Sequence, residues 1–252
     1  MLRVESEGPV VRMTLDRPEV RNAFDDELIE AMHQAFESLP KGTRAVVLSG
    51  EGDVFCAGGD LNWMRRTAGY SDDQNYRDAL RLAGLFEAIS RCPAAVIARV
   101  HGPAYGGACG LVAAADIALA SQAARFAFSE VRIGLVPATI SPFVIRKIGA
   151  GAARALFTTG EVFDAERAYQ IGLVHFVGPL PDLDKELRRK LDSILSAGPR
   201  AVAEAKRIAL EPPMNADQSA RLLATVRSGE EAREGIGAFL DKRKAAYVKE
   251  IC

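Results

Sequence analysis

Residues 101–120, HGPAYGGACGLVAAADIALA, join a glycine turn to a run of small apolar side chains. A glycine turn before a helix leaves backbone N–H groups free and lets another group approach the main chain closely. The N-terminus of such a helix also carries a partial positive charge. The stretch therefore predicts either a site for an anion or a developing oxyanion, or a close contact between a helix and a sheet. Its spacing matches neither a Walker loop nor a dinucleotide-binding glycine motif.

A second glycine turn, FCAGGDL at residues 55–61, also follows an apolar residue and precedes a predicted helix. Two backbone N–H groups that converge on one oxygen are the usual construction of an oxyanion hole. Each turn alone would fit simple close packing equally well. Two such turns in one chain, each after a strand, favour an oxyanion hole.

The chain around these turns alternates short apolar runs with amphipathic segments. The sequence predicts strands at VVRMTL (10–15), RAVVLSG (44–50), AAVIARVHG (94–102) and DIALA (116–120). Helical spacing predicts one helix over 25–39, with Asp25 as N-cap and Leu28, Met32, Phe36 and Leu39 facing the core. It predicts a second helix over 75–90, with Tyr76, Leu80, Ala83, Phe86 and Ile89 facing the core. Strand–helix alternation implies parallel pairing with crossovers, hence an α/β fold.

The composition places the chain among ordinary globular proteins. Of its 252 residues, 48% are hydrophobic and 26% charged, and the net charge is −1. This balance provides no global basic field for nucleic acid or an anionic membrane. Four scattered cysteines and three isolated histidines predict neither disulfides nor a metal site. With no signal peptide and no apolar run long enough to span a bilayer, we expect a soluble, cytoplasmic protein.

Glu130 lies in an unusually apolar segment, RFAFSEVRIGLVPATISPF (125–143). A carboxylate among such neighbours is costly unless it is paired. Desolvation would raise its pKa toward a range that is useful for proton transfer. The residues alone leave two interpretations open: an acid/base group, or an ion pair with Arg125 or Arg132.

FCAGGDL, HGPAYGGACGL, SEVRIGLVPA and EGIGAFLDKR, in this order and spacing, resemble the crotonase superfamily of enoyl-CoA hydratases and isomerases. The resemblance covers nearly the whole chain. It implies an α/β crotonase-like spiral of ββα turns over residues 1–195, which holds the acyl-CoA site. It implies a C-terminal helical region over 196–252 that builds homotrimers, often paired as hexamers. The thioester oxygen would lie between the amides of Gly59 and Gly107, with Glu130 as the acid/base.

The same resemblance assigns residues to the coenzyme A part of the substrate. The backbone around Ala57, together with Gly59, Asp60 and Leu61, would hold the adenine end. Lys242 and Lys244, with Arg243 between them, would meet the CoA phosphates, although a solvated helix end explains this basic cluster equally well. Because coenzyme A arrives with the substrate, we expect no separate cofactor. The charge balance, the absence of a long apolar run and the scattered cysteines and histidines lead us to expect no nucleic-acid, membrane or metal partner.

The sequence departs from the best-known hydratases at one position. Their first glutamate falls on Gly110 here, and only the second, Glu130, is present. DLNWM, GGACGL and SEVRIGLVPATISPF resemble the methylglutaconyl-CoA and carboxygeranoyl-CoA hydratase subgroup, which also has glycine there. This implies hydration of a branched acyl-CoA, with Gly110 leaving space beside C3 for the branch. The alternatives are an enoyl-CoA isomerase using Glu130, another crotonase reaction, or a non-catalytic CoA-binding protein. By charge alone, Arg65, Arg66 and Arg146 are candidates to meet a distal carboxylate.

Overall fold

Strands and helices alternate along the computed structural model, which describes residues 1–250 of the chain. The strands are β1 (Leu2–Glu7), β2 (Val10–Leu15), β3 (Ala45–Gly50), β4 (Ala95–Val100), β5 (Ala104–Tyr105), β6 (Ile117–Ser121), β7 (Arg125–Ala127), β8 (Phe163–Asp164) and β9 (Phe176–Gly178). The helices are α1 (Asp26–Glu37), α2 (Leu61–Thr67), α3 (Asp72–Arg91), α4 (Gly107–Ala114), α5 (Ser141–Thr159), α6 (Ala165–Gln170), α7 (Leu180–Ser196), α8 (Pro199–Leu210), α9 (Ala216–Ser228) and α10 (Glu230–Leu240).

The main sheet has six strands in the order β1-β2-β3-β4-β6-β9. All neighbours pair in parallel except β1 and β2, which form an antiparallel hairpin. This confirms the predicted crossovers. One face, with Val47 and Ile97, packs against Leu183 and Leu187 of α7. The opposite face, with Val46, packs in the larger core that α1, α3 and α4 share. Burial on both faces explains why these strands read as continuous apolar runs.

Helix α1 forms as its sequence predicts. The Asp25 side chain accepts a hydrogen bond from the Leu28 amide at 2.9 Å, and Leu28, Met32 and Phe36 are buried. Helix α3 follows the prediction only in its second half, where Phe86 and Ile89 are buried.

The expectation that Tyr76 and Leu80 face the core is wrong. Their exposed fractions are 65% and 56%. No side chain between Asp72 and Gly84 is fully buried, so the first half of α3 runs along the surface rather than against the sheet. Hydrophobic spacing identifies a helix, but it does not say where along its length the core ends.

A small second sheet, in the order β5-β7-β8, fixes the start of α4. Strands β5 and β7 pair in parallel, and β8 pairs antiparallel to β7. These strands are two or three residues long, too short to produce a period-2 pattern. They place the residues just before α4 beside the segment that leads into Glu130.

The last part of the described chain is helical, as predicted. Buried Arg44, at the start of β3, donates hydrogen bonds to the carbonyl oxygens of Ile194, Ala197 and Tyr247, which ties this part to the sheet. The expected boundary at residue 195 falls in the last turn of α7, just before α8 begins at Pro199. Within residues 1–250, no helix is long and apolar enough to cross a bilayer.

Candidate active site

A cavity of about 720 Å³ opens between α2, α3, the start of α4 and the segment that follows β7. Gly59, Gly107 and Glu130, the three residues predicted for catalysis, all line it. Most of the remaining wall is apolar. The polar side chains that join Glu130 there are Thr67, Asn75, Asp78 and Thr139.

The two glycine turns are held side by side through their main chains. Cys56 donates its amide to the carbonyl oxygen of Pro103 at 3.2 Å, and Tyr105 donates to the carbonyl oxygen of Cys56 at 3.2 Å. Gly58 has φ +90°, and a Cβ there would lie 2.7 Å from the carbonyl oxygen of Tyr105. Only glycine permits this close approach. The turns that looked alike in sequence are thus neighbours in space.

Both predicted amides lack a hydrogen-bond acceptor among residues 1–250. Gly107 is the first residue of α4, so its N–H cannot join the helical ladder. Gly59 is held by hydrogen bonds on either side of it, from Phe24 to Gly58 and from Asp60 to Phe24. Within the described residues, neither the Gly59 nor the Gly107 N–H has an acceptor. Free amides at a helix N-terminus are suited to stabilise a developing oxyanion.

Glu130 lies in a short 3-10 turn, Ser129–Ile133, rather than in a strand. Its Oε2 atom is buried and has no hydrogen-bond partner among residues 1–250. A Cβ built on Gly106, one residue before the free Gly107 amide, would lie 3.6 Å from Oε1 of Glu130. The carboxylate therefore lies beside the glycine turn that begins α4.

The electrostatics of Glu130 fit an acid/base group better than an ion pair. Burial raises its pKa, and its own backbone N–H offsets part of that shift. The two arginines considered as partners are occupied elsewhere. Arg125 donates to the carbonyl oxygens of Gln122 and Ala124, and Arg132 donates to that of Gly160. An unpaired carboxyl group that shares a cavity with two free amides can move a proton on a bound carbonyl compound.

Gly110 does not leave space beside the cavity, so that part of the sequence-based expectation is wrong. It is buried in α4, and a Cβ there would lie 2.4 Å from Cγ2 of Ile140 and 2.8 Å from Cζ of Phe86. These two side chains fill the volume that a longer residue would need. The sequence could not reveal this because Phe86 and Ile140 lie on α3 and just before α5.

The residues predicted to hold the adenine end have mixed surroundings. Ala57 donates its N–H to the carbonyl oxygen of Arg21 at 3.0 Å. The Asp60 carboxylate caps α2, accepting from the Asn62 and Trp63 amides at 2.8 and 3.1 Å. Asp60 also lies 3.7 Å from the Arg17 guanidinium. The Asp60 side chain and the Ala57 N–H are therefore both engaged within the protein.

Other predicted contacts lie further from the cavity. Leu61 begins α2 and is 69% exposed. Lys242 follows α10 with φ +55°, and Lys244 forms a 2.7 Å ion pair with Glu250. Neither lysine lines the cavity. A role for them in binding CoA phosphates stays a prediction. It would require the two lysines to reach the acyl-CoA site of a neighbouring subunit.

The arginines considered for a distal carboxylate are not brought to the cavity either. Arg66 pairs with Asp26, and Arg65 donates to the Asn62 side chain at 2.8 Å. Arg146 lines separate clefts between α5 and α8. The structure instead brings Asp78 and Trp63 to the wall, which sequence reasoning missed. Asp78 lies in a segment with the spacing of an ordinary amphipathic helix, and Trp63 lies in the helix expected after the second glycine turn, for which the sequence predicts no apolar face.

Comparison with known proteins gives consistent matches over the whole chain. A family model described as "Enoyl-CoA hydratase/isomerase" matches residues 5–250. "Enoyl-CoA hydratase ACTT6" of Alternaria alternata is 34% identical over 253 residues, covering 94% of this chain and 80% of that protein. The crystal structure of an enoyl-CoA hydratase from Shewanella pealeana ATCC 700345 is 37% identical, with a TM-score of 0.93 and coverage of 97% and 95%. The crystal structure of an enoyl-CoA hydratase from Mycobacterium smegmatis is 35% identical, with a TM-score of 0.90, and the match covers 98% of this chain and 99% of that one.

Proposed function

Since the chain belongs to the enoyl-CoA hydratase/isomerase family, we propose that it hydrates the α,β double bond of an acyl-CoA through Glu130 and two backbone amides. The crotonase-like α/β fold predicted from the sequence is confirmed by the match to solved hydratases. The chain is an enzyme, a hydro-lyase. One observation carries the proposal: the unpaired Glu130 carboxyl group and the free amides of Gly59 and Gly107 share one cavity.

The proposed steps use only these groups. The thioester oxygen accepts hydrogen bonds from Gly59 and Gly107. Glu130 takes a proton from a water molecule as the water oxygen bonds to C3, and the electrons of the double bond move to the thioester oxygen as an enolate. The protonated Glu130 then returns the proton to C2. Fixed amide donors stabilise the enolate because they need no reorientation when the charge develops.

The finer part of the proposal concerns the substrate. We propose an acyl chain with a methyl branch at C3, as in methylglutaconyl-CoA-like substrates. With Gly110 in place of a second glutamate, a single carboxyl group must handle the water. A methyl group stabilises positive character at C3, so the C3–oxygen bond forms or breaks with less help from a base. The argument is one of reactivity, because Phe86 and Ile140 already fill the space at Gly110.

Enoyl absorbance assays with three substrates test this proposal. We expect turnover of 3-methylcrotonyl-CoA with kcat/KM at least equal to that of crotonyl-CoA. A strong preference for crotonyl-CoA would contradict the proposed branched substrate but not the proposed hydration reaction. A 3-enoyl-CoA that becomes conjugated without gaining water would favour the isomerase alternative, which the single carboxylate also supports.

We further propose that the enzyme acts in the cytoplasm as a homotrimer or a pair of trimers, assembled through its C-terminal helices. Free thiols at Cys56, Cys92 and Cys109 are consistent with a reducing compartment. Helices α9 and α10 carry large apolar side chains at the surface: Leu223, Ile236, Phe239 and Leu240, with exposed fractions of 55%, 51%, 83% and 71%. Such a cluster is typical of a surface covered by another protein.

Sedimentation equilibrium tests the assembly. We expect three or six times the 27.1 kDa chain mass at micromolar concentration. Phe239→Glu should shift the protein toward monomer, because it places a charge in an apolar contact. Val162→Glu, at a site that is 59% exposed outside these helices, is the matched control and should leave the mass unchanged. A stable wild-type monomer would contradict the proposed assembly.

A further inference from the structure

The cavity that holds Glu130 contains a second carboxyl group and no cation. Asp78 lines it from α3, together with Asn75, Ala79 and Leu82. These positions are spaced as one face of a helix. No lysine, arginine or histidine of the described chain lines the cavity. An acyl group bound there is therefore surrounded by apolar side chains, three neutral polar ones and two acidic ones.

Asp78 is partly desolvated and has no ion-pair partner within residues 1–250. The pKa of Asp78 is raised overall, and burial is the largest cause. Trp63, Arg81 and Arg66 offset part of the rise, whereas Asp26 adds to it. Arg66 is already paired with Asp26, and Arg81 is exposed. The buried indole N–H of Trp63 has no well-aligned acceptor among the described residues, and Asp78 is the carboxylate next to it. Asp78 therefore adds an acidic side chain to the wall, with no ion-pair partner among the described residues.

The two carboxyl groups lie on different elements of the cavity wall. Asp78 lies on α3, and Glu130 lies in the 3-10 turn after β7. Gly110 lies on a third element, α4. Asp78 is therefore not a substitute for the glutamate that Gly110 replaces. The α3 wall is left for the part of the acyl chain beyond the reacting carbons.

We propose that Asp78 determines acyl specificity: the cavity takes a chain that is uncharged at its distal end and disfavours one that ends in a carboxylate. The proposal rests on the proposed function and keeps the branch at C3, but it excludes methylglutaconyl-CoA itself, because that acyl chain ends in a carboxylate. A carboxylate brought into this cavity would lose water, meet no lysine, arginine or histidine on the described wall and lie near two carboxyl groups. Desolvated charges without partners are strongly disfavoured, so we expect discrimination of about 10- to 100-fold.

Binding of two unreactive thioesters tests this without relying on turnover. 3-Methylvaleryl-CoA and 3-methylglutaryl-CoA share the branch and differ in their terminal group. Calorimetry at pH 8 should show the wild type binding the neutral thioester at least about tenfold more tightly. Asp78→Asn should reduce that ratio by about tenfold and leave the affinity for 3-methylvaleryl-CoA nearly unchanged, because the amide keeps the size of the side chain. Asp73→Asn, at an exposed aspartate of the same helix paired with Arg77, is the control and should keep the wild-type ratio.

The possible outcomes separate the two proposals. Equal wild-type affinities, or an Asp78→Asn variant that keeps the full ratio, would overturn the role of Asp78 while leaving the hydratase intact. If neither thioester binds, the acyl-CoA site itself is wrong and the specificity falls with it.

Discussion

Replacing Glu130 by glutamine is expected to lower kcat/KM for enoyl-CoA hydration by about 10²–10⁴-fold, the usual contribution of a positioned acid/base. The amide keeps the size of the side chain but cannot take a proton from water. Since Gly110 supplies no second carboxylate, no other group in the described cavity lies beside the glycine turns to replace it. KM should change little, because Gly59 and Gly107 would still bind the thioester.

The pH dependence of the wild type gives a second readout. Hydration needs Glu130 unprotonated, so kcat/KM should rise with pH through a pKa that burial places above the ordinary value for glutamate. The variant should show a flat profile over the same range. Glu161→Gln, at an exposed glutamate, is the control and should keep both the rate and the profile. Near-wild-type rates in Glu130→Gln would exclude the proposed mechanism.

Stability should move in the opposite direction to activity. A carboxyl group whose pKa is raised on folding favours the protonated form of the folded state. It therefore costs stability as the pH rises from the ordinary pKa of glutamate through the raised pKa, and the full cost is present above the raised one. Glutamine is neutral at every pH, so Glu130→Gln should have a Tm equal to or above that of the wild type at pH 8. A large fall in Tm would mean that the side chain supports the fold rather than the reaction.

Local signals allowed part of this fold to be predicted from the sequence. Helix α1 carries its N-cap and its apolar face in one short segment, so Asp25, Leu28 and Phe36 behave as expected. The parallel strands are likewise predictable, because each of them is a short apolar run in the sequence. The prediction that Tyr76 and Leu80 are buried fails because the end of the core depends on what packs against α3. A single periodic segment does not contain that information.

The candidate site divides in the same way. The glycine turns can be recognised in the sequence because glycine frees the backbone. Glu130 can be recognised because it is a charged residue in an apolar segment. Asp78 and Trp63 lie on α3 and α2 at positions that look like any polar or apolar face, and only the three-dimensional arrangement brings them to the cavity. The interpretation of Gly110 fails for the same reason, since the atoms that fill its surroundings come from distant segments.

Adding a side chain at Gly110 is expected to damage the whole protein rather than one substrate preference. Gly110→Ala should lower the free energy of unfolding by about 1–3 kcal/mol, the usual cost of overpacking a core. Its Cβ would lie 2.4 Å from Cγ2 of Ile140, an atom too close to the backbone to move freely. Gly110→Glu should cost more, because it also brings an unpaired carboxylate into a buried helix. Rates on branched and unbranched substrates should therefore fall together.

Urea unfolding of a double-mutant cycle isolates the steric origin of this cost. If Ile140 is the obstacle, Gly110→Ala should be less destabilising by at least about 1 kcal/mol when Ile140→Ala is already present. Gly151→Ala is the matched control, since it is also helical but has nothing within 4 Å of an added Cβ. It should be neutral or stabilising by up to about 1 kcal/mol, because alanine is the better helix former. A fully stable Gly110→Glu variant that loses only branched substrates would show instead that the glycine does leave space for the branch.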